Sequence, residues 1–253
     1  SMSGHSKWAT IKRAKSANDA KRGKVFTQLG RELVIAAREG GGDPDSNFRL
    51  RLVLDKAKKA NMPKENIERA IKRGTGELKD AGTMDEVSYE GYGPHGTAFL
   101  VEVLTDNKNR AVADVRHVFS RLGGNLGADG CVAWMFSRKG YIVIRPGDQD
   151  PEEVALVAID AGAEDVEISD DLIEVYTAPN ELRPVQETLS KDLDVENAEL
   201  SWIPQSTQSL DEHATLQTMK LIDALEDLDD VQHVYTNLDI SDEAMAVFEN
   251  SAA

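Results

Sequence analysis

Residues 4–26, GHSKWATIKRAKSANDAKRGKVF, carry seven Lys or Arg side chains and one acid, Asp19. Cations at this density with an indole among them suit phosphate chemistry. Lys and Arg pair with backbone phosphates, and an aromatic ring stacks on a base or wedges beside a sugar. The candidate contacts are Lys7, Lys12, Arg13, Lys15, Lys21, Arg22 and Lys24, with Trp8 as the stacking group. Trp8 has a second reading, as an apolar anchor packed on a neighbouring element, because burial is the usual role of an aromatic. If about six phosphate pairs form on duplex DNA, log K falls against log salt with a slope near −5. A weaker basic spot around DNKNR offers Lys108, Arg110 and Arg116 as a possible secondary contact.

The charge is divided along the chain. The net charge is −16, yet residues 1–79 hold 19 Lys plus Arg against 9 Asp plus Glu, and residues 80–253 hold 10 against 36. A basic segment of +10 is therefore joined to an acidic one of −26. Such asymmetry points to a polyanion as partner of the basic part. The acidic part has three readings: a surface that a polyanion repels, so that the basic head faces the ligand; ordinary soluble surface; or a face for a basic protein partner.

Other chemistry finds no support. GYGPHG, residues 91–96, fits the letters of a dinucleotide loop, but Pro94 removes an N–H and a strand pattern follows where the motif needs a helix. It reads as a turn, and GGNLGADG, residues 123–130, as a flexible connection. The five histidines have no metal-ligand spacing, and Cys131 stands alone, more readily a buried thiol than a nucleophile. No nucleophile, base and orienting group come together, so the reading is not an enzyme, with no cofactor and no metal.

These residues must be positioned by folded elements. Phe26, Leu29, Leu33 and Ala36 or Ala37 recur at helical steps until Gly40. A second helix carries Leu50, Val53 or Leu54, and Ala57; a third follows Pro63, with Ile67, Ala70 and Ile71, and stops at Gly74. Three single-stripe helices predict a small bundle, with the cationic segment ahead of it as an arm. That arm has little apolar surface and is expected to order on its ligand. In the third helix Arg69, Lys72 and Arg73 are not accompanied by an Asn or Gln set for reading bases.

Beyond residues 74–85 the pattern changes to TAFLVEVLT as a strand and 110–122 as a helix. VAWMFSRKGYIVIR, a helix over 151–162, the hairpin DVEISDDLIEVYTA, a helix over 181–191 and AELSWIP then give β-α-β-β-α-β, the ferredoxin-like order. A helix within 211–240 and the strand VQHVYTNL complete the chain. The strand-helix and helix-strand pieces that flank the ferredoxin-like unit are expected to pair around it. The fold class is therefore α+β in three domains: a basic helical domain over 1–80 with an N-terminal arm, a discontinuous α+β domain of 81–133 and 207–253, and an inserted ferredoxin-like domain over 134–206.

No run of about 18 apolar residues predicts a membrane span, and one cysteine fits a reducing, cytoplasmic setting. The basic N-terminus superficially suits a transit peptide, but residues 5–24 offer only Trp8, Ile11 and scattered alanines for an apolar face. Ser1 before Met2 reads as an expression scar.

Four stretches carry a family resemblance: GHSKWATIKRAKSANDAKRGKVF, GGGDPDSNFRLR, YEGYGPHGTAFLVEVLTDNKNRAVADVRHVF and GGNLGADGCVAWMFSRKG. Together they resemble the bacterial YebC/PmpR family, to which mitochondrial translational activators of cytochrome oxidase also belong. The resemblance implies the same three-domain plan and a non-enzymatic regulator of gene expression. It implies most directly a DNA-binding transcriptional regulatory protein, with a ribosome-associated translation factor that binds ribosomal RNA as the alternative.

Overall fold

The computed structural model describes residues 4–14, 19–79 and 81–251. In chain order these form α1 (Gly4–Ala14), α2 (Asp19–Gly40), α3 (Phe48–Lys59), α4 (Lys64–Thr75), β1 (Asp85–Tyr92), β2 (Ala98–Thr105), α5 (Lys108–Arg121) and β3 (Asn125–Leu126). There follow β4 (Phe136–Arg145), α6 (Pro151–Asp160), β5 (Asp165–Ile168), β6 (Ile173–Thr177), α7 (Leu182–Leu189) and β7 (Asp194–Pro204), then α8 (Glu212–Glu226), β8 (Val231–Thr236) and α9 (Asp242–Ser251). Two compact units result: Phe136–Gln205, and the chain on either side of it. The fold is α+β, with a helical bundle first and a ferredoxin-like unit inserted later.

The bundle is built from α2, α3 and α4. Leu33, Val34, Leu50, Val53, Ala57, Ile67 and Ala70 are buried in one cluster, which also takes in Met84 and Leu104. Asn47 starts α3 by accepting the Leu50 N–H at 3.1 Å, an N-cap that satisfies one of the free donors of the first turn. Glycine is required at residue 74: a Cβ there would lie 2.4 Å from the Val34 carbonyl oxygen, so only a bare backbone lets α4 approach α2 this closely.

The same unit holds an antiparallel sheet in the order β3-β1-β2-β8. Phe99, Val101 and Val103 of β2 share a core with Val115, Val118 and Phe119 of α5 and Met219, Ile222 and Leu225 of α8. GYGPHG is the turn between β1 and β2, closed by the Gly93 N–H donating to the Thr97 carbonyl at 2.9 Å. In the inserted unit the sheet order is β5-β6-β4-β7, antiparallel throughout. Gly140 of β4 faces Leu182 of α7, which with Val185 and Leu189 is buried.

Two expectations are corrected. The basic N-terminal segment is not an unpacked arm over its described length: residues 4–14 form α1, and Trp8 joins the core made by β2, α5, α8 and α9. GGNLGADG is not a loose connection either. Glu90 of β1 lies buried and accepts the N–H groups of Val132 at 3.0 Å and Ala133 at 2.6 Å and that of Gly130, while the Gly127 N–H donates to its carbonyl. These backbone donors outweigh the rise that burial alone would cause and hold the Glu90 carboxyl below its ordinary range.

Candidate nucleic-acid interface

In helix α1 a cation shares the apolar face, since Lys12 lies one turn after Trp8. Its apolar residues, Trp8 and Ile11, face the core, and the Trp8 ring is 3% exposed. Phe248 of α9 meets it edge-on at 5.2 Å between centroids. The Lys12 Nζ also lies 3.7 Å from the ring centroid, a cation–π contact. The start of the helix is equally close to its support: a Cβ on Gly4 would fall 1.9 Å from the Ile240 carbonyl oxygen. Trp8 thus takes the anchoring role of its two readings, and its faces are covered in this conformation.

The cations of α1 and of the start of α2 meet carboxylates from the far end of the chain. Lys7 pairs with Asp242 at 2.9 Å, and Lys12 with Glu226 at 2.8 Å and Asp223 at 3.4 Å. Lys24 lies 3.8 Å from Asp227. Buried His5 places its Nε2 3.7 Å from Glu226, too far for a direct hydrogen bond. Burial alone would raise the Glu226 carboxyl, but Lys12 above all, with His5, brings it down to about 2. Burial is also the largest influence on Lys24 and holds its ammonium below the ordinary value, against the pull of Asp227, Asp229, Glu226 and Asp223.

Further along α2, Arg31 ties the bundle to the sheet. Its guanidinium donates to the Leu104 carbonyl at 2.9 Å, to the Asp229 carbonyl at 3.1 Å and to the Asp230 carboxylate. Asp230 also accepts from Thr105 at 2.8 Å and from Arg110 at 3.0 Å. Burial would raise this carboxyl; Arg110, Arg31 and Thr105 together hold it low.

The residues that the sequence nominates are therefore distributed as follows. Lys7, Lys12 and Lys24 converge on the acidic residues of α8, of the segment after it, and of α9. Lys21 and Arg22 are exposed on the first turn of described side chains in α2. Arg13 lies in α1 but its side chain, like all of Lys15, is outside the described residues. In the secondary spot Lys108 and Arg116 are exposed, whereas Arg110 is bound by Asp106 at 2.7 Å and by Asp230.

Sequence reasoning missed the distant partners of these cations: Asp242, and the cluster of Asp223, Glu226, Asp227 and Asp230. A signal existed, since DALEDLDD, residues 223–230, puts five carboxylates in eight positions. Among the described residues no group of three or more His, Cys, Asp or Glu is arranged to hold a metal ion. No described helix is long and apolar enough to cross a membrane.

The same order of helices, sheet and insertion is found in known proteins. Residues 6–77 match the TACO1/YebC protein N-terminal domain, and residues 84–238 match the TACO1/YebC second and third domain. The chain belongs to the TACO1/YebC family. A relative from Moorella thermoacetica is 54% identical over 94% of this chain and 96% of its own length, and one from Syntrophotalea carbinolica is 54% identical over 97% and 98%. Each is described as a probable transcriptional regulatory protein. Among solved structures, a conserved hypothetical protein, Aq1575 from Aquifex aeolicus, is similar with a TM-score of 0.84 and 49% identity, covering 88% of this chain and 93% of that one. Within the family, Trp8 of α1 and the Glu90-bound loop lie inside the matched regions.

Proposed function

We propose that this member of the TACO1/YebC family is a non-enzymatic regulator of gene expression that binds nucleic acid, acting on DNA through its basic N-terminal helical region. The observation that carries the reading is the charge division: 19 cations against 9 acids in residues 1–79, set on a molecule that is otherwise strongly acidic. The description of its relatives as probable transcriptional regulatory proteins supports the same direction. Contacts of this kind are made to phosphates and position the protein without reading sequence. The cations Lys7, Lys12 and Lys24 exchange carboxylate partners for phosphates when they take part. Such exchange is most accessible for Lys7 and Lys24, whose partners Asp242 and Asp227 are largely exposed, since exposed ion pairs contribute only about 0–1 kcal/mol each, whereas Lys12 is held more firmly by Glu226.

The test is a competition at near-physiological salt, with labelled protein offered equal nucleotide amounts of its own genomic DNA and of ribosomes. Retention on DNA supports transcriptional control. Transfer to ribosomes moves the protein to translation, with ribosomal RNA as the polyanion, and binding to neither ends the nucleic-acid reading.

A further inference from the structure

The helical region carries its charge in two equal portions that are treated differently by the fold. Residues 4–40 hold nine Lys plus Arg and three acids, and residues 48–75 hold the same numbers. In the first portion Lys7, Lys12, Lys24 and Arg31 are drawn onto carboxylates of the C-terminal segments. In the second, the turn between α3 and α4 reads KAKKANMPK, residues 56–64, four lysines with no carboxylate among them.

That turn has a fixed shape. The Asn61 N–H donates to the Lys58 carbonyl at 3.0 Å and the Met62 N–H to the Ala57 carbonyl at 2.9 Å, the two bonds of a Schellman ending, with Asn61 at φ 59. Ala57 and Met62 are buried in the bundle core, so the turn is pinned from below while Lys58, Lys59 and Lys64 are exposed above. Lys58 and Lys59 have a structural use at the end of α3, where cations suit the helix dipole. Lys64 has none: it opens α4, where the dipole disfavours a cation. Its link to Glu68 is long, 3.7 Å, with the lysine side chain 89% exposed. Lys58 has no ion pair among the described residues.

We infer that the α3–α4 turn, through Lys58, Lys59 and Lys64, is a phosphate-binding site for a nucleic-acid backbone and makes the first contact, ahead of the carboxylate-bound cations of α1. This rests on the functional reading above and adds the location. A rigid turn loses little conformational freedom on binding, and its three ammonium groups need not displace the carboxylates that hold α1.

The experiment measures anisotropy of two labelled probes, a mixed-sequence DNA duplex and a double-stranded RNA of equal length, from about 50 to about 200 mM salt. The full chain is compared with a Lys58→Gln, Lys59→Gln, Lys64→Gln variant. A control removes the same charge from the inserted unit, by Lys139→Gln, Arg183→Gln and Lys191→Gln. The expected result is a loss of roughly tenfold or more in affinity at the higher salt for the turn variant, with the salt slope smaller by about 2.5 to 3 and the control near wild type. The probe that shows the larger loss identifies the source of the phosphates. A turn variant that binds like wild type, or no worse than the control, overturns the site while leaving the functional reading intact. Absence of binding by the wild-type chain to either probe overturns both. Lys64→Gln alone, which removes a cation unfavourable to its helix, folds regardless and is expected to reduce the slope by about 0.9; an unchanged slope counts against the site.

Discussion

Two regions of the helical domain have the same charge and meet different partners. From residue 4 to residue 40 and from residue 48 to residue 75 the net charge is +6 in each case. The first region lies against DALEDLDD and the start of α9, which supply Asp223, Glu226, Asp227, Asp230 and Asp242 to its cations. In the second, Arg49 pairs with Glu39 and Glu86 and Lys64 lies 3.7 Å from Glu68, all within or near the bundle, while Lys58, Lys59 and Lys64 of the α3–α4 turn are exposed. The difference teaches that cation density along a sequence measures potential for binding a polyanion. The fold decides which of those cations are already engaged.

The first way to break the comparison is to remove the anchor that holds α1 in place. Trp8 is nearly fully buried against Phe248 and the sheet core, so Trp8→Ala removes a large aromatic from a packed site and should cost about 3–5 kcal/mol. The measurement is urea unfolding, read as a lower midpoint. If the cost is below about 1 kcal/mol, α1 does not contribute to the core as described. At protein concentrations and temperatures where the variant remains folded, its nucleic-acid affinity should rise, because Lys7 and Lys12 lose the geometry that holds them on their carboxylates.

The second is acid. Glu226 has its folded carboxyl lowered from an ordinary value of 4.5 to about 2, so the unfolded chain binds the proton more readily than the folded one. Stability from this group is therefore complete above about pH 4.5 and is lost as pH falls toward 2, on the order of 3 kcal/mol at most. Glu226→Gln should lower stability at neutral pH and flatten its pH dependence between pH 4.5 and 2. An unchanged acid profile would show that Lys12 and His5 do not hold the carboxylate.

Much of this arrangement was legible before the structure. The spacing alone puts Leu33, Leu50, Ala57, Ile67 and Ala70 on inward helix faces, and they belong to the bundle core; of the alternatives Val53 and Leu54, Val53 is the buried one. The ferredoxin-like order was equally clear, because its strands alternate with helices that end in recognisable turns. What escaped depends on distant partners. β1 contains Ser88, Tyr89, Glu90, Gly91 and Tyr92 in succession, and becomes a strand through pairing with β2 over its whole length. Trp8 and Ile11 are too few to announce an apolar face, yet α8 and α9 supply a surface for both. The candidate site was legible as a set of cations and not as a geometry, since the pairings of Lys7, Lys12 and Lys24 join residues more than 200 positions apart, as Lys12 and Glu226 do at 214.

The smallest effect comes from the outermost pair, and it bears on whether carboxylates restrain α1 at all. Lys7 and Asp242 meet at 2.9 Å with the Asp242 side chain 74% exposed, so solvent screens the pair and Asp242→Asn should change stability by less than about 1 kcal/mol. The effect on binding runs the other way. Removing the carboxylate leaves Lys7 for a phosphate and adds one positive charge to the whole chain, so affinity for the DNA duplex should rise severalfold at low salt, with the gain shrinking as salt increases. A matched substitution on the inserted unit, Asp192→Asn, adds the same charge without touching the Lys7 pair and separates the two contributions. A larger gain from Asp242→Asn means that the pair restrains Lys7. Equal gains mean that net charge alone is responsible and that the two regions of the helical domain differ less in availability than their ion pairs indicate.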